Sequence, residues 1–192
     1  MKIEAVLFDM DGLMVDTESL STKALISSAK KQDYEMTKEE TLQVLGFTEA
    51  AIYKFWENYF EDSHVDGKKL ADDHYDYIEE VLFTTGPDKM PNVEELLVYL
   101  KENNYKIAVA SSSNIDHIEN NMKKTRLRKY IDKIASGQEV LNGKPAPDVF
   151  LLAAERLGVK PENCLVLEDS KSGIKAGHAS GATVFMVPDM FK

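Results

Sequence analysis

The sequence predicts an α/β protein with a doubly wound parallel sheet as its core and an all-helical domain inserted after the first strand. Three observations carry this prediction. Residues 3–8, 106–110 and 164–167 are short runs, apolar apart from Glu4 and Lys106, as expected of strands buried on both faces by covering helices. From Lys106 onward such runs alternate with helical patterns. Residues 17–83 contain no convincing strand, so a purely helical segment interrupts the alternation.

The elements follow in order. Strand 3–8 ends at Asp9. Residues 18–31, 38–45, 49–60 and 68–83 read as helices, with Gly46 and the polar run 61–67 as breaks. The predicted domains are a catalytic core, residues 1–15 and 85–192, and a helical cap, residues 16–84, with hinges near Asp16 and residues 84–87. Helix 93–103 places Val93, Leu96, Leu97 and Leu100 at helical spacing. Strand 106–110 precedes Ser111, Ser112 and Ser113, and a helix carrying His117 follows. Residues 131–135 form a weaker strand candidate. Helix 148–157 starts after Pro145 and Pro147 and stops at Gly158. Strand 164–167, helix 172–180 stopped at Gly181, and a weaker strand at 183–187 complete the pattern.

Composition limits the function. The 192 residues carry 33 acids against 23 Lys and Arg, a formal charge of −10. A general nucleic-acid surface, which needs a basic patch, is not expected. The single cysteine, Cys164, excludes an intramolecular disulfide framework and points to the cytoplasm. The apolar run before Asp9 is too short for a signal sequence. No stretch approaches the roughly 20 apolar residues of a membrane helix. Neither nucleic acid nor membrane is therefore expected as a partner.

Chemistry gathers where the strands end. Asp9, Asp11 and Gly12 follow the first strand, Ser111 to Ser113 the second, Lys144 the third, and Glu168 with Asp169 the fourth. Each alone has a plain structural reading. Asp9 to Asp11 fits a turn, Ser113 or Asn114 a helix cap, Lys144 a solvated loop, and Asp169 or Ser170 a second cap. Together they place four carboxylates at one sheet edge, where like charges repel strongly. A lysine and a hard divalent cation offset that repulsion, and an all-oxygen ligand set favours Mg²⁺.

The motifs are Asp9-Met10-Asp11-Gly12, Ser111, Gly143-Lys144-Pro145 and Leu167-Glu168-Asp169-Ser170. In these the chain resembles the haloacid dehalogenase-like superfamily, in the Rossmann-like subgroup with a helical cap that holds β-phosphoglucomutase and many small-molecule phosphatases. The resemblance covers nearly the whole chain. It implies a Mg²⁺-dependent phosphatase whose partner is a small phosphorylated metabolite, a phosphate monoester and foremost a sugar phosphate. Asp9 is then the nucleophile and Asp11 the general acid/base. The Asp9 side chain, the Asp11 backbone carbonyl and Asp169 hold Mg²⁺, with Glu168 supporting them from outside. Ser111, Ser112 and Lys144 bind the phosphoryl oxygens. Dehalogenases of the superfamily lack an aspartate at the position of Asp11. A monomer is expected.

Several readings compete. A phosphosugar mutase of the subgroup carries a cap histidine and a cap arginine where Ser21 and Glu49 stand here, and both differences favour hydrolysis. A phosphonate hydrolase would need a cap lysine such as Lys23, Lys30 or Lys31. Outside enzymes, a phospho-accepting signalling domain or a silent phospho-ligand-binding relative is the alternative. Phe55, Trp56, Tyr59 and Phe60 read as the core of the helical domain. Asp72, Asp73, His74 and His64 read as a solvated face, and His117 as surface. Relatives continue with one more helix after the last strand, so one side of the sheet is expected to be exposed in a chain ending at Lys192.

Overall fold

The computed structural model describes residues 2–44 and 47–188. Contacts divide the chain into two compact units, Met1–Asp16 with Gly86–Lys192, and Thr17–Thr85.

The first unit is a five-stranded sheet with helices on both faces. Its strands are β1 (Ala5–Phe8), β2 (Lys106–Ser111), β3 (Lys133–Ser136), β4 (Cys164–Glu168) and β5 (Thr183–Met186), in the order β3-β2-β1-β4-β5. All four pairings are parallel. β1 is central, with β2 and β4 on its two sides, so the chain reverses its direction of travel across the sheet beside β1. Clefts that bind ligands in such sheets open at the carboxyl ends of the strands at this reversal.

Alternation along β1 explains the layers. Val6 and Phe8 face one side, with Ile107, Val109, Leu97, Ile118 and Met122 in the same cluster. Ala5 and Leu7 face the other, with Ala108, Ala110, Val149, Phe150 and Val166. The small alanines of the second face leave room for the fully buried Phe150 ring.

Eight α-helices occur among the described residues. In the helical unit these are α1 (Thr17–Lys30), α2 (Lys38–Thr41), α3 (Glu49–Tyr59) and α4 (Gly67–Thr84). The sheet unit holds α5 (Val93–Glu102), α6 (Ile115–Lys124), α7 (Asp148–Leu157) and α8 (Lys171–Ala179). Local sequence fixes their ends. Asn114 caps α6 through the His117 N–H at 2.8 Å. Ser170 caps α8 through the Gly173 N–H at 3.0 Å. Gly158 ends α7 in the left-handed region at φ 63°. The predicted helix 38–45 is instead one turn of α2 followed by a 3-10 turn, Leu42–Val44; its last residue, Leu45, and the break at Gly46 lie outside the described residues.

The helical unit has its own core, including Leu25, Ala29, Ile52, Trp56, Phe60, Val65 and Leu70. Trp56 and Phe60 are buried as expected, whereas Tyr59 is 41% exposed, with its hydroxyl donating to Glu40 at 2.8 Å. His74 corrects the sequence reading. It is not on a solvated face but 1% exposed, because it follows Leu70 by one helical turn on the buried stripe of α4. Asp72 faces outward and pairs with Lys68, whereas Asp73 is half-buried and pairs with Lys69 and Lys31. At the sheet edge, Phe185 and Met186 of β5 are 62% and 53% exposed.

Candidate active site

The carboxyl ends of β1, β2 and β4 bring most of the predicted residues together. Asp9 follows β1 directly, and the chain then turns sharply. Gly12 adopts φ 77°, its N–H donates to Val15 O at 3.0 Å, and Met14 N–H donates to Met10 O at 2.8 Å. A residue with a side chain strains at that φ, so Gly12 lets the chain fold back after Asp11.

Lys144 organises the buried charges. Its ammonium donates to Asp9 Oδ1 and, at 2.7 Å, to Glu168 Oε1. The Lys144 and Glu168 side chains are 5% and 1% exposed. Lys144 also lies 4.8 Å above the Phe150 ring centre. The second oxygen of Glu168 accepts from the Ser170 N–H at 2.8 Å and the Ser170 hydroxyl at 2.9 Å. Glu168 therefore links β4, the start of α8 and the lysine loop.

Burial pushes the Asp9 carboxyl above its ordinary range. Lys144 opposes that shift, while the negative charges of Glu168 and Asp11 reinforce it. Burial alone would lower the Lys144 ammonium, but Asp9 and Glu168 outweigh it and hold the ammonium above its ordinary value.

Asp9, Glu168 and Asp169 form a buried group whose carboxylate oxygens lie within 4.8 Å of one another. Three carboxylates exceed the charge of Lys144, and their oxygens suit a hard cation. The residues present therefore fit a divalent metal. Glu168, expected to support the ligands from outside, is close enough to belong to the ligand set.

Asp11 is oriented by hydroxyls. Its Oδ2 accepts from Ser113 Oγ at 3.0 Å and from Ser111 Oγ at 3.4 Å. Ser111 Oγ in turn accepts the Ser113 N–H at 3.0 Å. Ser113 is the site residue that sequence reasoning assigned only to a helix cap; it lies beyond the end of β2, in a turn closed by its own N–H on Ser111 Oγ, and no periodicity in the sequence marks that turn. Ser112 points away: it is exposed, and its hydroxyl has no hydrogen bond among the described residues.

The two positions that bear on the reaction type lie in the helical unit. Ser21 Oγ is 3.0 Å from His74 Nε2 and lines a pocket of about 220 Å³ with Glu18, Thr22 and Thr41. Glu49 opens α3 behind the Thr48 cap, where a negative charge complements the helix N-terminus.

Comparison with known proteins agrees with this geometry. The family model for haloacid dehalogenase-like hydrolases matches residues 6–187. A Drosophila melanogaster protein named a probable pseudouridine-5'-phosphatase is 36% identical, over 98% of this chain and 83% of that one. A phosphorylated carbohydrates phosphatase of Thermotoga maritima is 33% identical, over 93% and 82%. Among solved structures, a Thermotoga maritima protein provisionally named a beta-phosphoglucomutase superposes with a TM-score of 0.82 at 31% identity, covering 96% of this chain and 85% of its own. With a family model spanning nearly the whole sequence and its acidic motifs gathered at the strand ends of a parallel sheet, the chain belongs to the haloacid dehalogenase-like hydrolase family.

Proposed function

We propose that this protein is a Mg²⁺-dependent phosphatase that hydrolyses a small phosphate monoester, foremost a sugar phosphate, through an aspartyl-phosphate. The observation that carries the reading is the buried Asp9, Glu168 and Asp169 group with Lys144 held between two of its members. The phosphatase names of the relatives in the fly and in Thermotoga support the substrate class.

Each residue then has a task. A carboxylate oxygen of Asp9 attacks phosphorus as the bond to the leaving oxygen breaks. Asp11 gives that oxygen its proton and afterwards removes one from the water that cleaves the acyl phosphate. Ser111 and Lys144 supply donors for the transferring phosphoryl oxygens. Ser112 presents no side chain to the cluster, so we confine its role to the backbone. Asp9, Asp169 and the Asp11 carbonyl would hold Mg²⁺, with Glu168 beside them. The cation supplies positive charge that keeps the Asp9 carboxylate ionised and offsets charge on the phosphoryl group.

The helical unit, residues 17–85, serves in this reading as the cap, and the enzyme acts as a cytoplasmic monomer. No helix among the described residues is long and apolar enough to cross a membrane. A panel of phosphate monoesters assayed with and without Mg²⁺ tests the reading. A mutase assay with glucose 1-phosphate and a glucose bisphosphate belongs beside it. Phosphate release that needs Mg²⁺ is expected. Glucose 6-phosphate forming much faster than free phosphate would replace hydrolysis by mutase chemistry.

A further inference from the structure

The opposite edge of the same sheet carries charge that the chain as a whole does not. A groove of about 430 Å³ opens beside the first residues of β2 and β3. Lys101, Lys106, Lys133 and Arg156 line it, with Asp132 as the one acid among its lining residues. This is a basic groove in a chain whose acids outnumber its bases 33 to 23.

Two of these cations are already neutralised. Lys101 Nζ pairs with Asp132 Oδ1 at 2.7 Å, and Asp132 Oδ2 accepts the Ile107 N–H at 2.8 Å. Arg156 is held by Glu139 through two bonds of 2.9 and 2.7 Å. The other two are not. Lys106 Nζ donates to a neutral acceptor, Leu157 O, at 2.8 Å. Lys133 has no hydrogen bond or ion pair among the described residues. Asp132 and Glu139 hold Lys101 and Arg156, with Glu155 also near Arg156, so Lys106 and Lys133 are the two lining cations without a carboxylate partner among the described residues.

Strand register puts these two ammonium groups on one face. Lys133 pairs with Ala108, and Lys106 stands two residues before Ala108 in the same strand. Side chains two apart along a strand share a face, so Lys106 and Lys133 project to the same side. Each ammonium has three N–H donors, and at least two on Lys106 and all three on Lys133 are available to an acceptor.

We propose that this groove binds a phosphate-type dianion between Lys106 and Lys133, either inorganic phosphate or the phosphate group of a phosphorylated metabolite. A dianion can take one charge-assisted contact from each of the two ammonium groups that lack a carboxylate partner, and its oxygens match ammonium donors. The site is separate from the carboxylate cluster. It lies where β2 and β3 begin, whereas the cluster lies where β1 and β4 end, and its existence does not depend on the reaction proposed above.

The test is a titration of the ¹⁵N-labelled chain in Mg²⁺-free buffer at constant ionic strength. Sodium phosphate is one arm, glucose 6-phosphate the second and sodium chloride the control. Saturable shifts are expected at amides 104–107 and 132–134. In a Lys106→Gln, Lys133→Gln double variant the dissociation constant read at those amides should rise about tenfold or more. Shifts near Asp9 and Ser111, and Mg²⁺-dependent hydrolysis, should be retained. Tighter saturation by glucose 6-phosphate assigns a phosphorylated metabolite; tighter saturation by inorganic phosphate assigns the free ion. Shifts that chloride reproduces, that never saturate, or that persist unchanged in the double variant would overturn the proposal.

Discussion

Gly173→Ala places a methyl group against the acidic site from behind. Gly173 lies in the first turn of α8, where alanine is favoured over glycine by about 1 kcal/mol on helix propensity alone. The structure predicts the reverse outcome. A Cβ at this position would lie 1.6 Å from Glu168 Oε1 and 1.9 Å from its Cδ. The Glu168 carboxylate is not free to swing aside, being held by Lys144 at 2.7 Å and by Ser170 at 2.8 and 2.9 Å. Losing two of these charge-assisted bonds costs about 3–6 kcal/mol. After the propensity gain, about 2–5 kcal/mol of destabilisation remains, a fall of roughly 4–20 °C in Tm for a chain of this size. Turnover should fall about tenfold or more, because Lys144 loses one of its two carboxylates. Thermal unfolding and a phosphatase assay measure both effects. Gly143→Ala is the control, since its Cβ would meet nothing within 4 Å. A Gly173→Ala protein with unchanged or raised Tm and normal turnover would refute the reasoning.

The metal assignment predicts that Asp169→Ala raises the Mg²⁺ concentration needed for activity and that chelation silences the wild type; full activity in excess chelator would remove the metal from the account. Ca²⁺ should substitute poorly, since its longer bonds and higher coordination number can engage both Asp9 oxygens. His74 predicts a pH effect on stability. Burial lowers its pKa from 6.5 to about 4, so between those values the unfolded chain binds more protons than the folded one. Stability from this group is complete above about pH 6.5 and declines as the pH falls towards 4. Urea unfolding followed by fluorescence of Trp56, the single tryptophan, measures the slope, and His74→Gln should flatten it. An identical slope in the variant would show that His74 does not set it.

The middle of the sheet was legible because β1, β2 and β4 are largely apolar on both sides and each ends in a polar motif, whereas β3 and β5, at the sheet edges, have weaker patterns. Asp9, Glu168 and Lys144 could be placed from chain order alone, since parallel strands put all their carboxyl ends on one edge. What chain order does not convey is which neighbouring side chains share a side. Ser111, Ser112 and Ser113 look alike in sequence, yet the turn after β2, closed by the Ser113 N–H on Ser111 Oγ, brings the Ser113 hydroxyl to Asp11 and leaves Ser112 exposed. His74 was grouped with Asp72 and Asp73 by adjacency, whereas helical spacing ties it to Leu70 and buries it. The pairing of Lys144 with both Asp9 and Glu168 depends on side-chain reach across three loops, which no local pattern encodes.

The central claim is that the phosphoryl group passes through Asp9, and trapping it there is the most direct test. The Asp11→Asn protein, whose second step lacks its base, should be mixed with a reactive phosphate monoester and Mg²⁺, quenched in acid and weighed by intact-protein and peptide mass spectrometry. The account predicts a single added phosphoryl group on the peptide containing Asp9, released by hydroxylamine and absent from the Asp9→Asn protein. Phosphate release by the wild type with no labelled Asp9 in the Asp11→Asn protein, or a label that persists in Asp9→Asn, would contradict it.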